Sequence, residues 1–421
     1  MKAETIKENG FMKTEIGLIP TDWNVFDLSD TSVASLIMGQ SPPSSTYNKK
    51  EDGVPFMQGK AEFGSIFPSP EKWCKKPSRL AETNDVLISV RAPVGDVNIA
   101  PFRCGIGRGL AAVRAKEKTL PYFVFYYLQF AKKRLEDEGT GSTFKAINKG
   151  VLENFKIPIP EIIDQKKIII VLSKIQQVIE HQDKIIQLTK ELKNSLMNKF
   201  FTEGLHGEEQ KETEIGLIPK SWEIVEVDSL GEIVTGTTPP TINKKYYEGG
   251  GFQFISPVDL GNTKYVRKTE KEISSDGLNV SRVLPKDAVL VVCIGSTTGK
   301  VGLTFRDKSA TNQQINTIIC NKEFNPHFIY YLLDFKSDYI RSLSTPSPVP
   351  ILSKGKFQRA MIPVIRNKQE QDKIAEILSA IDEKSEKAES KKQTLQALFK
   401  TMLNQLMTGK VRVKNLDIEV N

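Results

Sequence analysis

A chain of 421 residues with formal charge +8 and a pI near 9.0 is long enough for two to four domains, each with its own core. The basic balance favours a polyanionic partner, nucleic acid first. Four scattered cysteines, Cys74, Cys104, Cys293 and Cys320, exclude a disulfide framework and a Cys-x-x-Cys metal site and predict a reducing cytoplasm, while the lack of any apolar run of about 18 residues predicts neither a signal peptide nor a membrane span.

In chain order, the first informative element is Thr14-Glu-Ile-Gly-Leu-Ile-Pro20, closely followed by Trp23; it returns letter for letter at 213–219, ahead of Trp222. A fixed-period echo of this kind marks a tandem of two ~200-residue units. A surface used twice suits a long, nearly two-fold ligand such as duplex DNA. In the first unit, Asp85-Val-Leu-Ile-Ser-Val90 reads as a strand amid Gly/Pro/Asn/Ser turns, and Pro121 opens an aromatic helix through Phe130. The second unit repeats the scheme with Asp287-Ala-Val-Leu-Val-Val292 and a helix from Asn325-Pro326 to Phe335, Asn325 as its cap. Helical spacing assigns Phe123, Tyr126, Tyr127, Phe328, Tyr330 and Tyr331 to core packing rather than base stacking.

Each unit closes on a heptad rhythm. In the second copy it runs Ile374, Leu378, Ile381, Ser385, Ala388, Lys392, Leu395, Phe399, Met402 and Leu406; in the first, Ile168, Leu172, Ile175, Ile179, Gln182, Ile186, Thr189, Lys193, Leu196 and Phe200. Asn367 with Glu370 resembles a capping box, and Gly204 and Gly409 stand where a left-handed residue ends a helix. Each helix should run about 37 residues, roughly 55 Å. A lone apolar stripe needs a partner, and the other copy supplies one if the two pair antiparallel. The polar interruptions at Gln182, Ser385, Lys193 and Lys392 can fix register or face a further partner. The expected fold class is α+β: two globular α/β domains, 1–160 and 205–365, separated by two long antiparallel coiled-coil helices, 161–204 and 366–421 with its tail, in a pseudo-two-fold tandem repeat.

Catalytic signatures are near misses. Gly295-Ser-Thr-Thr-Gly-Lys300 lacks the first glycine of a phosphate loop, and Val301 replaces its Ser/Thr. Cys104-Gly-Ile-Gly-Arg-Gly109 lacks dinucleotide spacing and reads as turn chemistry. His181, His206 and His327 form no His-Glu-x-x-His pair, and no Gly-x-Ser-x-Gly elbow or Asn/Asp-Pro-Pro-Tyr tetrapeptide occurs. The chain is expected to be non-catalytic and to hold no metal or cofactor.

The order of these motifs resembles the specificity (S) subunit of type I restriction-modification enzymes over nearly the whole chain. The resemblance rests on the Thr-Glu-Ile-Gly-Leu-Ile-Pro-x-x-Trp openings and on Gly39-Gln-Ser-Pro-Pro43 with Gly236-Thr-Thr-Pro-Pro240. It also rests on Lys-Gly-x6-Ile-Pro at Lys149–Pro158 and Lys354–Pro363, leading into Gln165-Lys-Lys-Ile168 and Gln371-Asp-Lys-Ile374. It implies two target recognition domains, each reading half of a split double-stranded DNA site. Two conserved antiparallel helices would bind methyltransferase (M) subunits, expected to number two, and restriction (R) subunits would join them. S-adenosylmethionine, ATP and magnesium would sit on those partners. A rod between two readers sets an unread gap near one DNA turn, about 10 bp. The loops diverge between units, so the target is expected to be asymmetric. The competing readings are a self-sufficient DNA methyltransferase or nuclease and a coiled-coil protein-binding scaffold.

Base reading needs side chains that match groove edges. Candidates in the first unit are Ser44, Tyr47, Gln58, Lys60, Arg91, Arg108, Ser142, Thr143 and Lys145. In the second they are Thr237, Thr238, Lys244, Tyr246, Ser256, Asp259, Ser296, Thr298, Asn312, Gln313 and Gln314, with the cluster Thr311–Gln314 beside the apolar 315–319 strand foremost. Lys49, Lys50, Lys149 and Lys354 are assigned to phosphate, which positions without specifying.

Overall fold

A computed structural model of the chain describes residues 7–8, 10–139, 146–261 and 263–419. It divides into two compact units, residues 1–180 with 393–421, and residues 181–392. Compactness follows packing rather than chain order, so each unit takes part of both long helices, Ile162–Glu203 and Lys368–Met407.

The first unit opens with the hairpin Phe11–Thr14 and Gly17–Pro20. Its heptapeptide is an architectural device: Thr14 Oγ1 closes the turn on the Gly17 carbonyl at 2.8 Å, Ile19 is buried, and the Trp23 N–H donates to the Pro20 carbonyl at 3.1 Å. A four-stranded antiparallel sheet follows in the order Val97–Ile99, Val86–Ser89, Leu110–Ala115, Ala34–Met38. Its inner strand Val86–Ser89 is buried throughout, Val-Leu-Ile followed by a serine whose hydroxyl donates to the Pro93 carbonyl, because both faces are covered. Val86 and Ile88 pack on the helix side with Trp23, Phe123 and Tyr126, whereas Leu87 packs with Met57, Ile106 and Ala112 against a second sheet. In that second sheet Val54–Met57 runs parallel to Cys104–Ile106.

The second unit reuses the plan with its own residues. Thr213 Oγ1 closes the matching hairpin on Gly216, and Trp222 is buried against Phe201 and Phe328. The main sheet runs Gly231–Thr235, Ile315–Cys320, Val289–Val292, Val301–Thr304, Tyr265–Val266. Val289 and Val291 again face the helices, and Leu290 and Val292 face the other way. The small second sheet again holds a parallel pair, Phe252–Ile255 with Ala310–Thr311. The aromatic helices are core as their spacing predicts, and Asn325 caps its helix by accepting from His327 and Phe328 N–H.

The long helices span 42 and 40 residues. Gly204 and Gly409 take φ of +73° and +66° just beyond their ends, the left-handed conformation an L side chain resists. Asn367 accepts from the Gln369 N–H at 3.0 Å and donates to Glu370 at 2.9 Å. Every apolar position of the two heptad seams is buried or half-buried, with Ile168 and Leu172 joining Leu406 in the first core and Phe200 joining Ile374 and Leu378 in the second. Within the second unit the pairing is antiparallel, because Asp183 meets Lys392 at 2.5 Å and Lys193 meets Asp382 at 2.9 Å. The two lysines that interrupt the seam are therefore its register marks. Tyr331 adds a hydroxyl bond to Asp382 at 2.6 Å.

The glutamines that open the helices tie them to the globular parts. Gln165 Oε1 accepts from the Leu120 N–H, and its Nε2 donates to the Lys118 and Pro160 carbonyls; Gln371 does the same with Asn325, Glu323 and Ile365. Both amides are fully buried, with the oxygen and both N–H groups hydrogen-bonded.

Candidate nucleic-acid interface

In each unit, backbone hydrogen bonds bring turns from four segments together at one edge: residues 39–41, 57–59, 90–91 and 106–110 in the first, and 236–238, 255–256, 293–295 and 311–315 in the second. The Gly/Pro stretch is held there by close packing: a Cβ on Gly39 would lie 2.2 Å from the Gly107 carbonyl oxygen, and one on Gly236 would lie 2.1 Å from that of Asn312. Only glycine brings these strand ends so near the neighbouring turn. A tyrosine then clamps each Pro-Pro pair, Tyr47 donating to the Pro42 carbonyl at 2.9 Å and Tyr247 to that of Pro239 at 2.7 Å.

At the first unit's edge, Ser44, Arg91 and Arg108 are exposed. Three other candidates are engaged inside the chain. The Tyr47 ring stacks on Phe56 at 4.9 Å, Gln58 Oε1 accepts from Lys72 at 2.9 Å, and Lys60 pairs with Asp96 at 2.7 Å. Burial pushes the Asp96 carboxyl up, but Lys132 and Lys60 together outweigh it and hold the group below its usual range. Lys60 is thus a brace between turns. Ser142, Thr143 and Lys145 lie outside the described residues.

The second unit's edge encloses a cleft of about 700 Å³ lined by Thr238, Ser256, Ser296, Asn312 and Gln314, all named from the sequence. Asn312 Nδ2 donates to Gln314 Oε1 at 2.8 Å, and exposed Gln313 accepts from the Thr238 hydroxyl. Asp259 is spent on structure: its carboxylate accepts from the Ser256 N–H and hydroxyl, both at 2.8 Å, and from the Glu270 N–H. Thr298 is 3% exposed with its hydroxyl bonded to the Gly295 carbonyl, so burial removes it from the readable surface. Thr237 is half-buried. Lys244 lines a separate shallow hollow with Tyr247, and the Tyr246 carbonyl receives the Ser274 N–H.

Sequence reasoning missed Lys271, Thr297 and Lys300, which also line the cleft. Lys300 ends the turn whose failure as a nucleotide loop drew attention away from it. Tyr247 was missed because its neighbour Tyr246 carries the same chemistry. Of the phosphate candidates, Lys49, Lys50, Lys149 and Lys354 are all exposed, and Lys149 is paired with Glu153 at 3.0 Å.

These edges offer hydroxyl, amide and guanidinium groups on closely packed turns. Burial pushes the thiols of Cys104 and Cys293 up to about 12, far from nucleophilic. The model of the type I restriction modification DNA specificity domain matches residues 20–190 and again 219–397. The chain belongs to this family. Its two specificity domains are the two halves of the tandem repeat, and the chain is a specificity subunit that recognises DNA sequence. The provisionally named MjaX specificity subunit of Methanocaldococcus jannaschii is 50% identical over 197 residues, 47% of this chain and 46% of that protein. The match thus spans about half the length of that relative. The type I restriction enzyme MjaVIII specificity subunit of the same organism is 24% identical over 98% of both chains. The fold is also that of the S subunit of a type I restriction-modification system from M. genitalium, at a TM-score of 0.66 and 16% identity over 91% of this chain and 96% of that one. Among the described residues, no helix is long and apolar enough to cross a membrane.

Proposed function

We propose that each unit of this specificity subunit reads one half of an asymmetric, two-part site in double-stranded DNA, and that the long helices set the unread gap near one helical turn, about 10 bp. The observation that carries the reading is the convergence, in each unit, of turns from four segments on one edge bearing base-matching groups. In this reading the subunit works in the cytoplasm and has no catalytic group of its own. It directs two methyltransferase subunits, docked on the helices, and restriction subunits, and those partners hold S-adenosylmethionine, ATP and magnesium. Family membership supports this over a self-sufficient enzyme or a protein-binding scaffold.

Base-resolved methylation sequencing of cells that carry the chain with its methyltransferase tests the reading. Two short, different half-sites at one fixed spacing are expected. A continuous motif would refute the two-reader geometry. Methylation by the purified chain alone, given S-adenosylmethionine and DNA, would overturn the non-catalytic assignment.

A further inference from the structure

The two reading edges share one backbone turn and differ at its tip. In the first unit, the Gly39 N–H donates to the Leu110 carbonyl at 2.9 Å, the Val90 N–H donates to Gly109 at 2.9 Å, and Gly105 lies opposite Phe56 in the parallel pair. In the second, the Gly236 N–H donates to Ile315 at 3.1 Å, the Cys293 N–H donates to Gln314 at 2.8 Å, and Ala310 lies opposite Phe254. These three pairings match Leu110 with Ile315, Gly109 with Gln314 and Gly105 with Ala310. Residue by residue, Arg108 then stands where Gln313 stands.

The surroundings of the tips agree. The hydroxyl residue before each Pro-Pro pair touches the tip: Ser41 Oγ accepts from the Arg108 backbone N–H at 3.2 Å, and Thr238 Oγ1 donates to Gln313 Oε1. Both tip side chains are exposed. Among the described residues, the Arg108 guanidinium has no hydrogen-bond or ion-pair partner, and the Gln313 Nε2 donates to no protein group. An unpaired guanidinium fork matches the O6 and N7 acceptors of guanine. A carboxamide that keeps a lone pair on Oε1 and both N–H groups matches N6 and N7 of adenine.

We infer that Arg108 and Gln313 are equivalent specificity-determining residues, Arg108 selecting a guanine in the half-site of the first unit and Gln313 an adenine in that of the second. The inference rests on the proposed DNA-reading role of the two edges. It makes one turn a reusable reader whose base choice is set by one side chain.

Selection from randomised duplexes, using the full chain in complex with its methyltransferase, tests it by comparing wild type with Arg108→Gln, Gln313→Arg and Arg108→Lys. Arg108→Gln should change guanine to adenine at one position of one half-site, and Gln313→Arg should do the reverse in the other. Each shift in base preference should be roughly tenfold to a hundredfold, the discrimination of one bidentate pair. Arg108→Lys keeps the charge without the fork and should weaken the guanine preference at that position. Unchanged base frequencies, or a uniform loss of binding on all sequences, would overturn the inference, the second outcome assigning Arg108 to phosphate. A wild-type complex that selects no two-part motif would instead sink the DNA-reading assignment, so the two failures are distinguishable.

Discussion

The scaffold of the two units and their proposed reading edges follow opposite rules. In the scaffold the same residue recurs with the same bond: Trp23 and Trp222, Thr14 and Thr213, Gln165 and Gln371 each repeat a partner type and a geometry. At the edges the backbone frame repeats while the side chains change, Arg108 against Gln313 and Gly107 against Asn312. The difference teaches where packing constrains this chain. A buried amide or indole has no alternative arrangement of equal energy, whereas an exposed tip leaves its side chain free to differ.

The largest test of that comparison removes the repeated tryptophans. Trp23→Ala and Trp222→Ala should each lose about 3–5 kcal/mol, the usual range for a buried aromatic, measured by denaturant unfolding. Markedly unequal losses would break the equivalence of the two scaffolds.

Next come the seam lysines of the second unit. Lys193 and Asp382 side chains are 18% and 15% exposed, so Lys193→Ala should cost roughly 3 kcal/mol by leaving a largely buried carboxylate without its cation, bonded to the Tyr331 hydroxyl. Lys193→Met with Asp382→Leu should recover most of that loss. Lys392→Ala breaks a pair whose Asp183 is half in solvent and should cost under about 1 kcal/mol.

Gln165→Ala and Gln371→Ala each strand a buried N–H and two carbonyls, and should cost about 1–3 kcal/mol with similar values in both units.

The smallest effect separates the units by pH. His327 and Tyr122 follow the first proline of matching ten-residue helices. Burial, with Lys264 and Lys286, lowers the His327 pKa from 6.5 against the pull of Asp287. A depressed folded value means that the unfolded chain takes the proton first. The stability is complete above pH 6.5 and declines as the pH falls toward the folded pKa. Melting temperatures from pH 8 to 5 should therefore fall less steeply for His327→Gln than for wild type. Identical slopes would assign the acid sensitivity elsewhere.

Much of this molecule is written locally. The repeated heptapeptide, the heptad seams, the Asn325 cap, the terminal glycines and the buried strands at 86–89 and 289–292 follow from periodicity and end chemistry within short windows, and the chain determined them by itself. The proposed reading edges were legible only in part. Thr238, Ser256, Asn312 and Gln314 were named and do meet in one cleft, yet Tyr47, Lys60, Asp259 and Thr298 carry equally suitable groups that the fold spends on itself. Only the tertiary structure decided between them. A side chain's hydrogen-bonding capacity is a property of its residue type, but whether that capacity is left over depends on partners brought near by strand pairing and turn packing, and no local period records those partners.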